Sequence, residues 1–245
     1  LGNPGLKPSF SWNVDLNYTR YATGSRFFST GLFFKQVTNH IYTAFENAGA
    51  DNVGVSNEFQ VPGGVISKKY QNAPSAYAAG VEFSYTGKFT GWSGWGKNLG
   101  INANYTLTDA RMRIPARTRA QPLPRQSRHL ANAALFFENE RASVRLACNY
   151  KSPYLMELNL FAVKDPNTGL AQIIHQDNDY DTFIGNNLSV DFSGSVKTGR
   201  QISLYAEWNN LTNAPLIIYR GRKDRPQKIE YYGTKIMAGI RLNIQ

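Results

Sequence analysis

The stretch LGINANYTLT, residues 99–108, decides the fold. Leu99, Ile101, Ala103, Tyr105 and Leu107 take every second position, with Gly100, Asn102, Asn104, Thr106 and Thr108 between them. Successive side chains of a strand point to opposite faces, so this period puts an apolar row on one face and a polar row on the other. The pattern recurs on both sides of it. In 142–151, Ala142, Val144, Leu146, Cys148 and Tyr150 alternate with polar or small residues, and in 187–196 Leu188, Val190, Phe192 and Val196 do the same. Ile202, Leu204, Ala206 and Trp208 mark another strand in 201–209, and Ile236, Ala238, Ile240, Leu242 and Ile244 mark the last, in 235–244. Upstream, Trp12, Val14, Leu16 and Tyr18 form one row and Tyr77, Ala79, Val81, Phe83 and Tyr85 another. Segments 26–38 and 129–138 are strand-like but less regular, since Phe27/Phe28 and Phe136/Phe137 put an aromatic on each face. Nine strands are expected.

Composition narrows the class. The chain has 245 residues, 42% of them hydrophobic, with 14 Tyr, 14 Phe and 4 Trp. No apolar run approaches the roughly 18–20 residues of a membrane helix, which excludes a helical inner-membrane protein. A mean hydropathy of −0.41 suits a soluble protein, but equally a transmembrane barrel, in which only alternate residues meet lipid. Cys148 is the only cysteine, so no internal disulfide forms, and His40, His129 and His175 are scattered, which removes zinc and redox readings. The absence of a start methionine or signal peptide suggests that Leu1 is not the start of the gene product.

The connections separate a soluble sandwich from a membrane barrel. In chain order they are short at 23–25, long at 39–75, medium at 86–98, long at 110–128, short at 138–141, long at 153–185, short at 197–200 and long at 216–229. Longer and shorter connections alternate throughout, as expected for short periplasmic turns and long extracellular loops. A C-terminus in the periplasm places every short turn on that side. The polar faces carry Asp15, Glu82, Arg145, Asp191, Glu207 and Arg241, which need water or a protein plug around them. The apolar faces place Trp12, Tyr18, Tyr77, Tyr85, Tyr150, Trp208 and Tyr232 near strand ends, where amphipathic rings suit the headgroup region. Cys148 points outward and reads as a small apolar residue. The fold class is all-β, a transmembrane antiparallel β-barrel in the cell outer membrane.

Three stretches carry a family resemblance: GNPGLKPSFSWNVDL (Gly2 to Leu16), LPRQSRHLANAALFFEN (Leu123 to Asn139), and WNNLTNAPLIIYRG with EYYGTKIMAGIRLNI (Trp208 to Ile244). Together they resemble the C-terminal part of a TonB-dependent outer-membrane receptor. In the closing strand Gly239, Leu242 and Ile244 are similar to the pattern read by barrel assembly, although Gln245 stands where an aromatic commonly ends the chain. The resemblance implies a 22-stranded barrel with an N-terminal plug and a TonB box. Residues 1–245 then form the C-terminal portion, with the plug and N-terminal strands in a missing region or separate chain. It also implies active nutrient uptake, a ferric siderophore first, then an oligosaccharide, cobalamin or a peptide. The implied partners are the remaining strands and plug, TonB–ExbB–ExbD through the plug, outer-membrane lipid and lipopolysaccharide, and in some receptors a surface lipoprotein. A passive porin and a barrel enzyme are the other classes; no enzyme and no cofactor are expected.

The net charge of +10 is concentrated in two loops. Segment 110–128 holds Arg111, Arg113, Arg117, Arg119, Arg125 and Arg128 without an acid, and 216–230 adds Arg220, Arg222, Lys223, Arg225 and Lys228. Segment 153–185 is acidic, with Glu157, Asp165, Asp177, Asp179 and Asp181. Arginine suits bidentate recognition of carboxylate and phosphate. The arginines could therefore pair with the acidic loop or lipopolysaccharide phosphates, or they could capture an anionic ligand. Arg111, Arg113, Arg117, Arg119, Arg125, Arg222 and Arg225 are the candidate ligand contacts. Nucleic acid is not expected, because stacking aromatics are not interleaved with these arginines. Asp177, Asp179 and Asp181 alternate like oxygen ligands but lack the glycine and glutamate of a calcium loop, so a solvated acidic loop is preferred over a metal site. Gly91, Gly94 and Gly96 are turn glycines without a phosphate-loop context. No local nucleophile motif is present. Tyr42, Phe45 and Tyr154 are aromatics that could stack on sugars or catecholates.

Overall fold

Alternation along the chain becomes a continuous two-faced sheet in a computed structural model. It describes residues 3–22, 26–48, 65–160, 162–164, 171–173, 178–199 and 201–242. In chain order the strands are β1 (Phe10–Ala22), β2 (Arg26–Ala48), β3 (Val65–Lys88), β4 (Leu99–Arg113), β5 (Gln121–Pro122), β6 (His129–Glu138), β7 (Ala142–Lys151), β8 (Tyr154–Leu160), β9 (Ala162–Lys164), β10 (Ala171–Ile173), β11 (Thr182–Ile184), β12 (Asn187–Lys197), β13 (Ile202–Asn209), β14 (Leu216–Arg220), β15 (Pro226–Glu230) and β16 (Lys235–Leu242). The nine strands expected from the sequence are β1, β2, β3, β4, β6, β7, β12, β13 and β16, paired antiparallel in that order. Among the described residues no helix is long and apolar enough to cross a membrane.

Directly opposed residues of an antiparallel pair share a face, so the register tests the proposed apolar face row by row. One row runs Leu16, Leu32, Val81, Leu107 across β1 to β4. Another runs Ile101, Leu135, Leu146, Phe192, Trp208, Ile236 from β4 to β16. No row changes face. These side chains stand on an open surface, as Leu16 at 68% and Ile240 at 66% exposure illustrate. So continuous an apolar surface matches lipid and no aqueous solvent.

The register also settles the two double aromatics. Phe28 lies opposite Tyr85, and Phe137 opposite Leu99 and Val144, which places both on the apolar face. Phe27 and Phe136 turn to the polar face. Phe136 lies over its cross-strand partner Gly100 so closely that any β-carbon there would collide with the ring. A large ring covering a bare backbone fills the polar face without breaking the ladder.

The connections fall into two groups. Residues 23–25, 89–98, 139–141 and 198–201 join strands at one end of the sheet; 49–64, 114–128, 152–186 and 210–234 join them at the other. The expected loop over 39–75 is a correction: β2 and β3 continue through most of it, paired from Phe27↔Thr86 to Ala48↔Val65. Beyond the apolar band the ladder continues after the outward apolar period has ended. The ladder skips Asn39 and Pro74, where Asn39 has φ +54° and proline has no N–H to give. Both parities bury across this joint: Ala76 and Ala73 on β3, and Val37 and Tyr42 on β2, pack into one cluster. The strands thus exchange faces at Asn39 and Pro74.

The remaining strands build a second layer at the long-loop end. β8 runs parallel to the extension of β2, with Ala44↔Leu158, and β11, β14 and β15 follow beyond it. The described residues of the loops expected at 153–185 and 216–229 are therefore largely β-structure. Met112, Ile114, Leu155, Leu158 and Leu160 join Tyr42, Ala73 and Ala76 in the core of this platform.

Candidate functional site

Three joints at the long-loop end tie strand ends to their neighbours, the second of them also to β8, and each falls in a stretch that carried the resemblance. In the first, Asn3 closes a turn through Leu6 N–H (3.2 Å) and donates its amide to the Tyr70 carbonyl (2.9 Å). Lys7 N–H donates to Asn72 Oδ1 (2.8 Å), while Asn72 Nδ2 donates to the carbonyls of Lys7 (2.9 Å) and Asn39 (2.8 Å). Ser9 Oγ also donates to Asn39 (2.7 Å), so the carbonyl beside Pro74 is satisfied twice.

In the second, Ser127 Oγ donates to the Ser152 carbonyl (2.9 Å), and Ser152 Oγ accepts from His129 N–H (3.0 Å). Arg125 has φ +65° and its N–H reaches the Leu155 carbonyl (2.7 Å). The start of β6 is thereby tied to the end of β7 and to β8. In the third, Asn210 and Asn213 have φ of +57° and +46°, a conformation that asparagine tolerates. Asn210 N–H donates to Asp191 Oδ1 (2.8 Å), Leu211 N–H to Val190 (2.7 Å) and Thr212 Oγ1 to Leu188 (2.9 Å). The resemblance therefore rests on strand-end joints.

At the centre of the platform Arg117 meets Asp181, and both side chains are 0% exposed. The two guanidinium termini bind the carboxylate in a fork, at 2.5 and 2.8 Å. Arg117 also donates to Gln121 Oε1 and Asn178 Oδ1, each at 2.9 Å, and Asp181 Oδ1 accepts from Asn159 N–H (2.9 Å). Among the described residues Arg117 Nε has no hydrogen-bond partner. The third loop joins through Gly221, whose N–H donates to the Asp181 carbonyl (2.8 Å). Gly221 has φ +65° and lies against the Asp179 carbonyl, so both conformation and space require glycine. The ion pair thus joins 110–128 to 153–185, and the backbone carbonyl of the same Asp181 joins 216–230 to them.

This changes the reading of the candidate arginines. Arg117 is enclosed and committed to Asp181, so it offers nothing to a ligand. Asp181 is likewise no part of a solvated acidic loop; Asp179 is exposed, and Asp177 lies outside the described residues. No cluster of three metal-ligating side chains occurs among the described residues. Arg111 and Arg113 lie on β4 opposite Tyr77 and Ser75, on the outward parity. Arg222 is exposed and forked onto Asp224 at 3.0 and 3.1 Å. Arg119, Arg125 and Arg225 are exposed on the loops. Tyr42 is buried and donates to Gln71 (2.8 Å), whereas Tyr154 lies under the Lys151 ammonium at 4.2 Å. His175 lies outside the described residues, as does the Phe45 side chain. Gln121, Asn159 and Gly221 were not singled out in the sequence, and Asp181 was read there only as part of an acidic loop; the opposite charges of the two loops were the one signal pointing to the pair.

The family model for the TonB-dependent receptor-like β-barrel matches residues 1–219. No curated protein matches the sequence. Among solved structures, the ferric-catecholate import receptor Fiu of E. coli aligns with TM-score 0.59 and 14% identity over 98% of this chain and 30% of its own. The pyoverdine receptor FpvA of Pseudomonas aeruginosa aligns at 0.59 and 13% over 99% and 31%, and the copper transporter OprC at 0.61 and 13% over 98% and 32%. The chain thus spans about a third of the length of these proteins, and β16, outside the family match, still pairs in register with β13. A two-faced meander with joints at one end, matched over residues 1–219, places the chain in the TonB-dependent receptor β-barrel family.

Proposed function

We propose that this chain forms the C-terminal wall and loop platform of an outer-membrane receptor that imports a scarce nutrient through TonB, a ferric siderophore first. β1 and β16 are each paired on one side only among the described residues. Such edges are unsatisfied in lipid, which supports further strands completing the barrel around a plug. The short connections then face the periplasm, as does the C-terminus. The observation that carries the reading is a lipid-matched wall bearing a tied platform with cations at its surface.

In this reading Arg119, Arg125 and Arg225 collect an anionic cargo, aided by Arg222 when Asp224 is displaced. Arg117 holds the platform together. Capture moves no plug by itself; TonB–ExbB–ExbD supplies that work. The neighbours' names span ferric catecholate, pyoverdine and copper, so the fold supports the receptor class more than one cargo.

The test is uptake of labelled ferric siderophores by cells carrying the full-length receptor. Uptake should disappear when TonB is deleted and fall severalfold in R119Q/R125Q/R225Q. Uptake that survives TonB deletion would favour a passive porin. TonB-dependent uptake of an oligosaccharide, cobalamin or a peptide instead would keep the class and change the cargo.

A further inference from the structure

Residues 89–98 make the longest of the four connections at the short-turn end, where 23–25, 139–141 and 198–201 join strands with three or four residues. The extra length is folded. Phe89 N–H donates to the Leu99 carbonyl (2.9 Å) and Trp92 N–H to the Phe89 carbonyl (3.0 Å), and the Phe89 and Trp92 rings stack with centres 5.1 Å apart. Gly94, at φ +62°, opens a short 3-10 helix over Gly94–Asn98. Gly96 is buried against Trp92, where a β-carbon would press on the indole at 3.0 Å. Trp95, in the same turn, is held out at 71% exposure. Joining two strands calls for no indole presented in this way.

A cleft of about 740 Å³ opens beside this connection, lined by Lys88, Lys97, Asn98, Glu138, Glu140 and Arg141. Its floor is on the polar face of the sheet: Lys88 pairs with Gly100 and Gly100 with Phe136, and Glu138 lies two residues beyond Phe136. Lys88 Nζ and Glu138 form an ion pair across β4 at 3.1 Å. Asn139 Oδ1 accepts from the N–H groups of Arg141 (2.9 Å) and Ala142 (2.7 Å), which fixes the tip bearing Glu140 and Arg141. Lys97, Glu140 and Arg141 are exposed, and among the described residues their side chains have no ion pair. The cleft therefore offers two unpaired cations and one unpaired carboxylate beside an exposed indole. Lipid meets the other face of the sheet, and a purely anionic polymer would meet Glu140. The flat face of an indole suits the C–H face of a sugar ring, and a peptide carrying both carboxylates and an amine matches charges of both signs.

We propose that the connection 89–98 and the turn 139–141 form a docking site for cell-wall glycopeptide, with a sugar ring on Trp95 and the zwitterionic stem peptide in the cleft. Lys97 and Arg141 take the carboxylates of the stem and Glu140 takes its amine. This rests on the reading that places the short connections in the periplasm, and it adds a partner that uptake itself does not require.

The full-length receptor in detergent is sedimented with purified cell-wall sacculi, with sacculi stripped of stem peptides, and with a soluble disaccharide–tetrapeptide as competitor. Wild type should sediment with intact sacculi, be released by the soluble fragment, and bind stripped sacculi about tenfold less. K97Q/R141Q should bind intact sacculi about tenfold less, because two charge-assisted contacts are lost. W95A should bind severalfold less, whereas W95F should keep most of the binding, since a ring face remains. K223Q, at the opposite end of the sheet, should bind as the wild type does. Failure of the wild type to sediment overturns the proposal, as does equal binding by W95A or K97Q/R141Q, or equal binding to stripped sacculi. Release by liposomes of phosphatidylethanolamine and phosphatidylglycerol, with none by the soluble fragment, also overturns it and assigns the turn to lipid. Labelling in cells separates the two readings: S93C, with Cys148 replaced by alanine, should react with a bulky impermeant maleimide only after the outer membrane is permeabilised. Reaction in intact cells sinks both, whereas periplasmic labelling with unchanged sacculus binding by K97Q/R141Q sinks this one alone.

Discussion

The wall and the platform use opposite solutions to the same hydrophobic problem. On the wall, Leu16 and Leu242 stay 68% and 63% exposed, whereas in the platform Leu158 and Leu160 are at 0% and 1%. The wall has lipid as its solvent on one side, so a repeated period and a complete ladder suffice. The platform has water around it and builds a protein core, tied at one buried ion pair and at residues with positive φ. The difference teaches where damage spreads: locally along the wall, and across three loops at the platform.

The largest effect expected is at that ion pair. Removing one member leaves the other buried and uncompensated, which costs about 3–5 kcal/mol. D181A should therefore raise hydrogen exchange in all three loops together and leave β12 and β13 unchanged. The double variant R117M/D181L should lose much less, because no charge remains to desolvate. Exchange confined to the 178–181 turn would show that the pair does not couple the loops.

On the wall, face decides tolerance. A133R places a charge on the apolar row and should cost about 2–4 kcal/mol in bilayer unfolding experiments if it lies near the midplane. N132R, one residue earlier on the polar face, should cost less than about 1 kcal/mol. Equal costs would contradict the assignment of faces. The joints come next. S127A removes the hydrogen bond to the Ser152 carbonyl and should lower stability by about 1 kcal/mol, with faster exchange at the β6–β8 junction.

The smallest effect concerns the β14–β15 hairpin. Hydrogen bonds from Lys228 (2.7 Å) and Tyr232 (2.9 Å) hold the Glu230 carboxyl below its ordinary range. A depressed pKa means that this contact contributes above the unfolded value and is lost as pH falls through the folded one. Local exchange at 226–232 should rise only in that acid window. E230Q should remove the pH dependence; an unchanged profile would assign it elsewhere.

Legibility in the sequence followed the solvent. All nine wall strands were readable, because lipid on one face and a polar lumen on the other impose period two. Phe27 against Phe28, and Phe136 against Phe137, needed the register, since each pair satisfies both faces. The upper parts of β2 and β3 read as a loop because the strands exchange faces at Asn39 and Pro74, which breaks the period. Their buried side there, with Tyr42 and Ala73, meets the platform core and not lipid. The basic and acidic loops were visible as complementary charge, yet Arg117 and Asp181 are 64 positions apart and no local pattern marks them among their neighbours. Arg111 and Arg113 looked like the other loop arginines until Met112 and Ile114 fixed the parity of β4.

The central claim is one lipid face and one lumen face on each wall strand. Spin labels placed singly from residue 142 to 151 in the full-length receptor, with Cys148 replaced by alanine as background, test it most directly in outer-membrane lipid. The account predicts that labels at 142, 144, 146, 148 and 150 meet dissolved oxygen, while those at 143, 145, 147, 149 and 151 meet a water-soluble nickel reagent. Equal access of the nickel reagent along the whole strand would contradict it.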